Sequence, residues 1–385
     1  MNIVDKLDKL IFLSLCGYSL SSCISLETAN IFISLMSIFA IIRVIKERPV
    51  INIPKQYIMP VLVFFLVMFF LIFFSDDLVA AVRRYWRFAS RMIPLIITLA
   101  FIKNSRQIKI LVAIIILSVT ISNIYAIWQG VHGNFRALAF GKDAMDLAGF
   151  LVQWLPVMFI LSIDKQWCNQ RKYIICALIL GCAAILFNGT RGAWLALAII
   201  IPLVAFLYYN EKKKVIGYGL VAIFALGIIV HSVPELNSRV ATLTDKSFQS
   251  NTERILMWKS AWKMFTDHPL TGVGLGTYAH KYQTEYISPM ALEPYQGHAH
   301  NNFLQMLAET GIIGFISFCY MFGSLLYYSV KDWQQSHDPG SLMFFAATCG
   351  IILQGLTEVT FGNRIVMTLY FFTMGLYLQH KYVSK

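Results

Sequence analysis

Apolar residues in this chain come in long runs rather than in alternation. Twelve such runs fall near 10–26, 28–44, 57–74, 89–102, 109–129, 146–163, 173–188, 192–209, 215–232, 301–330, 341–358 and 365–380. A helix of about 20 apolar residues crosses the roughly 30 Å hydrocarbon layer of a bilayer. Inside lipid, each backbone polar group has to find its partner within its own segment, which makes a helix the default. None of the runs has the period-two alternation of a barrel strand. The pattern therefore predicts an all-α polytopic membrane protein of about twelve transmembrane helices, with 1–385 forming a single integral membrane domain. The first two runs are closely spaced and 89–102 is short, so these three define the span count least firmly. One long polar stretch, 233–300, is inserted between the ninth and tenth runs.

Basic residues give the runs an orientation, because short loops rich in lysine and arginine stay on the inner side. With the N-terminus inside, the inner loops carry Arg43, Lys46, Arg48 and Lys55, then Lys103, Arg106 and Lys109. Lys165, Arg171 and Lys172 follow, then Lys212 to Lys214, Lys331, and finally Lys381 and Lys385. Twelve spans with both termini inside satisfy this alternation. Lys6 and Lys9 precede the first run without an A-x-A cleavage pattern, which reads as an uncleaved first span.

The hydrophobic share is 57% and the formal net charge +12. A charge of that size brings nucleic acid to mind, but these basic residues are scattered among membrane loops and form no single basic face. Nucleic acid is therefore excluded as a partner, and membrane lipids take its place. None of the seven cysteines lies in the 233–300 stretch and no CxxC occurs. Neither a disulfide framework nor a thiolate zinc site is indicated, in keeping with an outer loop in an oxidising space.

The orientation rule does not require the basic residues on the outer side. In the segment 80–91, a helix places Arg84, Arg87 and Arg91 on one face. Arginine matches phosphate oxygens as a fork, although such a stripe also serves simply to snorkel toward lipid head groups. Arg191 follows the turn signal Asn188-Gly189 and sits at the rim of two spans joined by almost no loop, where a charge is costly unless paired or functional. The alternative there is an interfacial anchor. In the long loop, Ile255, Trp258, Trp262 and Phe265 recur at helical spacing, predicting an amphipathic helix on the membrane surface with Arg254 in its first turn. His268-Pro269 ends it. The glycines of Thr271-Gly272-Val273-Gly274-Leu275-Gly276 follow no strand, so a close backbone turn fits them better than a dinucleotide loop.

His298 and His300 stand at the mouth of the tenth run, where Asn301 or Asn302 caps a helix beginning at Phe303. A histidine at a helix mouth is often only structural. No third ligand appears at recognisable spacing, so no metal is expected. A helix N-terminus and nearby arginines both disfavour a protonated ring, and a neutral imidazole is what a general base requires.

Three stretches, NGTRGAWLALAI, SNTERILMWKSAWKMFTDHPLTGVGLGTY and HAHNNFLQMLAETGIIGF, make the C-terminal half resemble the O-antigen ligase family, within the superfamily it shares with O-antigen polymerases and O-oligosaccharyltransferases. The resemblance implies a GT-C-type glycosyltransferase of the bacterial inner membrane with a periplasmic active site and no cofactor or metal. The donor would be O-polysaccharide on undecaprenyl diphosphate and the acceptor a sugar hydroxyl of lipid A–core, in lipopolysaccharide biosynthesis. The region 233–300 would be a periplasmic loop and both termini cytoplasmic.

By the same resemblance His300 is the catalytic base, and Arg191 and Arg254 grip the pyrophosphate. His298, Asn301, Arg84, Arg87 and Arg91 are possible additions, and Asp76, Asp77, Asp146 and Glu309 are candidates for an orienting acid. No extended C-terminal region of the kind expected in protein O-glycosylating relatives is present, which points toward a ligase. The rivals are an O-antigen polymerase using the same site and a transporter of lipid-linked or anionic substrates. The transporter would carry charges at mid-membrane within a repeat; here the charges gather at one face and no repeat is seen.

Overall fold

A computed structural model of the chain describes residues 2–49, 51, 54–242, 245 and 248–383; Lys385 lies outside the described residues. Those residues form helices and turns. A hairpin of α1 (Ile3–Ser21) and α2 (Leu26–Lys46) comes first, and the Ser25 hydroxyl caps α2 by accepting the Thr28 N–H. α3 (Lys55–Leu71), α4 (Leu78–Ala89) and α5 (Ile93–Phe101) follow. Next are α6 (Ser105–Val131), α7 (Ala144–Ile163), α8 (Arg171–Asn188), α9 (Arg191–Tyr208) and α10 (Lys212–Ser232). The polar stretch folds as α11 (Pro234–Ala241), α12 (Gln249–Asp267) and α13 (Tyr278–Lys281). The chain finishes with α14 (Asn302–Ser336), α15 (Pro339–Gln354) and α16 (Arg364–Val383).

Each of the twelve apolar runs falls on a helix. Among the described residues, eight helices are long and apolar enough to cross a membrane: α2, α3, α6, α7, α8, α9, α10 and α14. The run 89–102 is a tight turn at Ser90–Met92 followed by the nine-residue α5, because the arginine-bearing stretch before it forms a separate amphipathic helix, α4.

α7 is buried along almost its whole length and is wrapped by α8, α9 and α15. α10 is its opposite, with no buried residue among those described and packing mainly on its chain neighbours α9 and α11.

Polar contacts sort the helix ends. Asp8 accepts from Arg43 Nε at 2.9 Å and Lys103 Nζ at 2.6 Å. Asp332, near the end of α14, accepts from Tyr57 and Tyr377 and pairs with Lys381. Gln379 donates to the Ile102 carbonyl, which joins the two groups. The start of α1 and the end of α16 therefore share one end of the bundle. α14 starts at Asn302, just after the histidines, and carries Asp332 near its far end, while α16 starts just after the Glu358 turn and carries Lys381 near its far end, so the histidines lie at the opposite end.

At that opposite end α14 is broken. Gly311 has φ +59 and ψ −161, and a Cβ there would stand 2.4 Å from the Leu270 carbonyl carbon. The segment after α12 fills the break: Ile312 N–H donates to Pro269 O and Val273 N–H to Ala308 O, both at 2.8 Å. The TGVGLG stretch is thus a close backbone turn that docks the polar subdomain onto the head of α14.

α12 begins at Gln249, so Arg254 lies in its second turn and not, as expected, in its first. Leu256, Met257, Ala261 and Met264 face the protein, while Ile255 and Trp262 are exposed. The helix thus has two apolar sides, and the aromatic one points outward.

Candidate active site

The motif His298-Ala299-His300-Asn301-Asn302 is laced to the turn between α15 and α16. Asn301 caps α14, its Oδ1 accepting from Phe303 N–H at 2.8 Å and Leu304 N–H at 3.1 Å, while its Nδ2 donates to Leu356 O at 2.9 Å. Asn302 donates to Thr360 Oγ1 at 2.7 Å and accepts from Phe361 N–H at 3.0 Å. Phe361 packs edge-on against Phe64 and Phe318, which anchors the same turn in the bundle. Gln305 Oε1 takes the Ala299 N–H at 2.7 Å and fixes the residue between the two histidines. His300 itself has φ +48, a left-handed conformation that costs energy in a residue other than glycine and persists because these contacts over-determine it.

The turn so held carries Glu358, which is 5% exposed. His300 Nδ1 lies 2.9 Å from its Oε2, His298 Nδ1 3.8 Å from its Oε1, and the Arg254 guanidinium 4.0 Å from Oε2. Burial alone would raise this carboxyl. The His300 hydrogen bond, both imidazole charges and the Val359 N–H outweigh that and hold it below the usual carboxylate range. An ionised Glu358 can only accept, so the His300 Nδ1 that faces it carries a proton, and Nε2 is the ring nitrogen turned away from that carboxylate. Burial first, then the neighbouring His300 and Arg84 charges, push half-buried His298 down to about 4 against the pull of Glu358, so its Nδ1 stays an acceptor for the His300 N–H at 3.3 Å.

Glu358 was not among the acids expected to orient the base. The four that were serve elsewhere: Asp77 caps α4, Asp76 lies 3.7 Å from Lys281, Asp146 completes the cap of α7 and accepts from Asn363, and Glu309 pairs with Arg84 at 3.1 Å. His298, His300 and Glu358 also bring three ligand atoms within 4.8 Å of one another, a set that could hold a metal ion. Sequence spacing missed it because Glu358 is 58 residues downstream of His300. Arg254 stands beside that carboxylate as a fixed positive charge, which works against a cation there.

Arg191, at the start of α9, is brought next to the same place. Its NH1 donates to Thr242 O at 2.7 Å and Thr242 Oγ1 at 3.0 Å, its NH2 to Asn251 Oδ1 at 2.9 Å, and the guanidinium lies over Phe248. Asn251 is one turn before Arg254 on α12. Two arginines that the sequence did not single out complete the group: Arg254, Arg239 and Arg136 all lie within electrostatic reach of Arg191.

The stripe 84/87/91 is divided. Arg84 pairs with Glu309 and lines a cleft of about 160 Å³ with Asp143, His298, Glu358 and Asn363. Arg91 is buried and donates to the Phe361 and Gly362 carbonyls at 2.6 and 2.7 Å, bracing the Glu358 turn. Arg87 is exposed.

Residues 176–319, which include Arg191, Arg254, His298 and His300 but not Glu358, match a family model described as O-antigen ligase. The chain is 28% identical over 153 residues to an O-antigen ligase of Salmonella typhimurium, covering 37% of this chain and 36% of that one. It is 23% identical over 208 residues to an uncharacterized protein of Haemophilus influenzae, covering 50% of this chain and 51% of that one. The matches thus span about half, or less, of the length of these curated relatives.

Proposed function

We propose that this chain, which belongs to the O-antigen ligase family, is a membrane glycosyltransferase of the GT-C type that moves O-polysaccharide from undecaprenyl diphosphate to a sugar hydroxyl of lipid A–core. The site end of the bundle faces the periplasm of the bacterial inner membrane, with 233–300 as a periplasmic loop, and both chain ends face the cytoplasm. The observation that carries the reading is the His300–Glu358 pair, an imidazole oriented by a buried carboxylate, set beside Arg254 and Arg191.

The chemistry then divides between the two sets of groups. His300 Nε2 removes the proton of the acceptor hydroxyl. The hydroxyl oxygen bonds to the anomeric carbon of the donor as that carbon's bond to the diphosphate oxygen breaks. The electron pair leaves with the diphosphate, where arginine forks meet the growing charge. Displacement from the opposite face inverts the anomeric carbon. Glu358 holds the imidazolium that forms, and the cleft bounded by Arg84, Asp143, His298 and Asn363 opens on the same carboxylate as a seat for the acceptor sugar.

The test uses the protein in nanodiscs with undecaprenyl-diphosphate-linked polysaccharide, with and without lipid A–core. A ladder of acceptor-borne product that needs lipid A–core supports the ligase. Longer lipid-linked chains formed without acceptor would make the protein a polymerase instead, and no glycan chemistry in either arm would refute the glycosyltransferase reading.

A further inference from the structure

Three side chains at the cleft converge on one small volume. His298, His300 and Glu358 each offer a donor atom, and the three atoms lie within 4.8 Å of one another. Both imidazoles present Nδ1 to the same carboxylate, His300 at 2.9 Å from Oε2 and His298 at 3.8 Å from Oε1. The rings stand 4.2 Å apart, centroid to centroid. The donors are fixed from behind. Val359 N–H holds Glu358 Oε1 at 3.0 Å, Arg91 braces the Phe361 and Gly362 carbonyls of the same turn, and Gln305 holds the Ala299 N–H between the histidines. His298 and Glu358 also line the cleft of about 160 Å³, which gives an ion a way in.

Zinc binds imidazole nitrogen and carboxylate oxygen at about 2.0–2.2 Å in a tetrahedron, which asks for donor atoms about 3.3–3.6 Å apart. The separations of 2.9 and 3.8 Å bracket that spacing. Two nitrogen donors and one carboxylate suit zinc and neighbouring transition cations, whereas magnesium and calcium take mostly oxygen. Arg254, 4.0 Å from Oε2, repels a cation and lowers its affinity. The ion is therefore a reversible visitor and not a resident cofactor. Its effect on the base follows from the two ring nitrogens. In the working form His300 carries a proton on Nδ1, toward Glu358, and Nε2 takes the acceptor proton. A metal bound at Nδ1 displaces that proton, and a neutral ring so bound holds its proton on Nε2. The nitrogen that has to accept is then already occupied.

We propose that His298, His300 and Glu358 form an inhibitory site for zinc and similar transition cations, which blocks transfer by locking His300 with its proton on Nε2. The inhibition rests on the role given to His300 under the proposed function; the binding of the ion does not. Since the carboxylate that orients the base is also a ligand, occupation by the ion and catalysis exclude each other.

In the experiment the full chain in nanodiscs is equilibrated with zinc chloride, and bound metal, thermal unfolding and transfer to lipid A–core are recorded. The proteins are the wild type, His298→Gln and Arg254→Gln. The wild type is expected to bind zinc, to unfold at a higher temperature with it, and to lose transfer as the site fills. Magnesium in about hundredfold excess is expected to change none of these. His298→Gln is expected to bind zinc at least about tenfold more weakly. Arg254→Gln, which removes the repelling charge, is expected to bind it at least about threefold more tightly. Equal zinc affinity in the wild type and His298→Gln, both unfolding at the same temperature, would overturn the site. Zinc bound as expected while wild-type transfer continues at full rate would overturn the inhibition. Zinc bound as expected by a wild type that transfers no glycan even without zinc would overturn the glycosyltransferase reading and leave the metal site standing. Should His298→Gln unfold early, Arg254→Gln decides: tighter binding there supports the site, and unchanged or weaker binding overturns it.

Discussion

Replacing Glu358 by glutamine removes a charge while nearly keeping a shape. The two carboxylate oxygens take the Val359 N–H and the His300 Nδ1–H separately, so the single amide oxygen keeps only one of them, while Asn301, Asn302 and Phe361 still hold the turn. What is lost is the attraction between carboxylate and imidazolium once His300 has taken the acceptor proton. At the 2.9 Å separation the gross attraction is about 6 kcal/mol in a medium of effective dielectric ~20. The substituted amide returns some of it as a neutral hydrogen bond, worth about 1 kcal/mol, and the freed Arg254 reorients toward the donor. A net loss of about 3 kcal/mol in the transition state corresponds to a roughly 100-fold fall in kcat. The assay is transfer to lipid A–core at saturating donor, with KM followed separately; kcat falls while donor KM changes little. Glu358→Asp is expected to recover part of the rate, because it restores charge at a longer reach. Wild-type kcat in Glu358→Gln, with His300→Ala inactive in the same assay, would show that His300 needs no orienting acid.

Three other perturbations follow from the same contacts. Arg191→Ala frees Thr242 and Asn251 and is expected to lower kcat/KM for the donor by at least about tenfold, the loss of one or two charge-assisted hydrogen bonds, with Arg191→Lys recovering part; unchanged donor kinetics would remove it from the site. Gly311→Ala puts a Cβ 2.4 Å from the Leu270 carbonyl carbon at φ +59 and should cost at least ~2 kcal/mol, read as an early loss of structure in thermal unfolding. The depressed His298 binds fewer protons folded than unfolded between pH about 4 and 6.5, so folding stability rises with pH across that window; depressed Glu358 acts in the same direction below its ordinary 4.5. His298→Gln is expected to flatten the rise in unfolding temperature between pH 4.5 and 6.5, and an unchanged slope would contradict the depressed imidazole.

Much of the fold was legible because lipid demands long apolar runs, and the long runs became helices. The short run 89–102 was ambiguous because the demand weakens where other helices cover a segment: α5 is nine residues long and largely buried. Which arginines stand together was only partly legible. Arg191 and Arg254 were marked by a turn signal, by their setting on the outer side and by the family resemblance. Arg239 looks in sequence like any loop charge, and nothing local shows that it lies over Gly189. Glu358 was hidden for a different reason: it is one acid at the end of an apolar run, in a turn whose purpose is visible only when Asn301 and Asn302 are seen to hold it. The roles of Arg87 and Arg91 could not be separated from that of Arg84 by helical periodicity, since the helix ends between them and turns Arg91 inward.

The most direct test of the account is a single turnover. His300→Ala protein in nanodiscs is loaded with undecaprenyl-diphosphate-linked polysaccharide, its donor affinity is measured, and lipid A–core is then added. The account predicts wild-type donor affinity and no acceptor-borne product. Product formed at the wild-type rate would contradict it, because the proton would then be leaving the acceptor without His300.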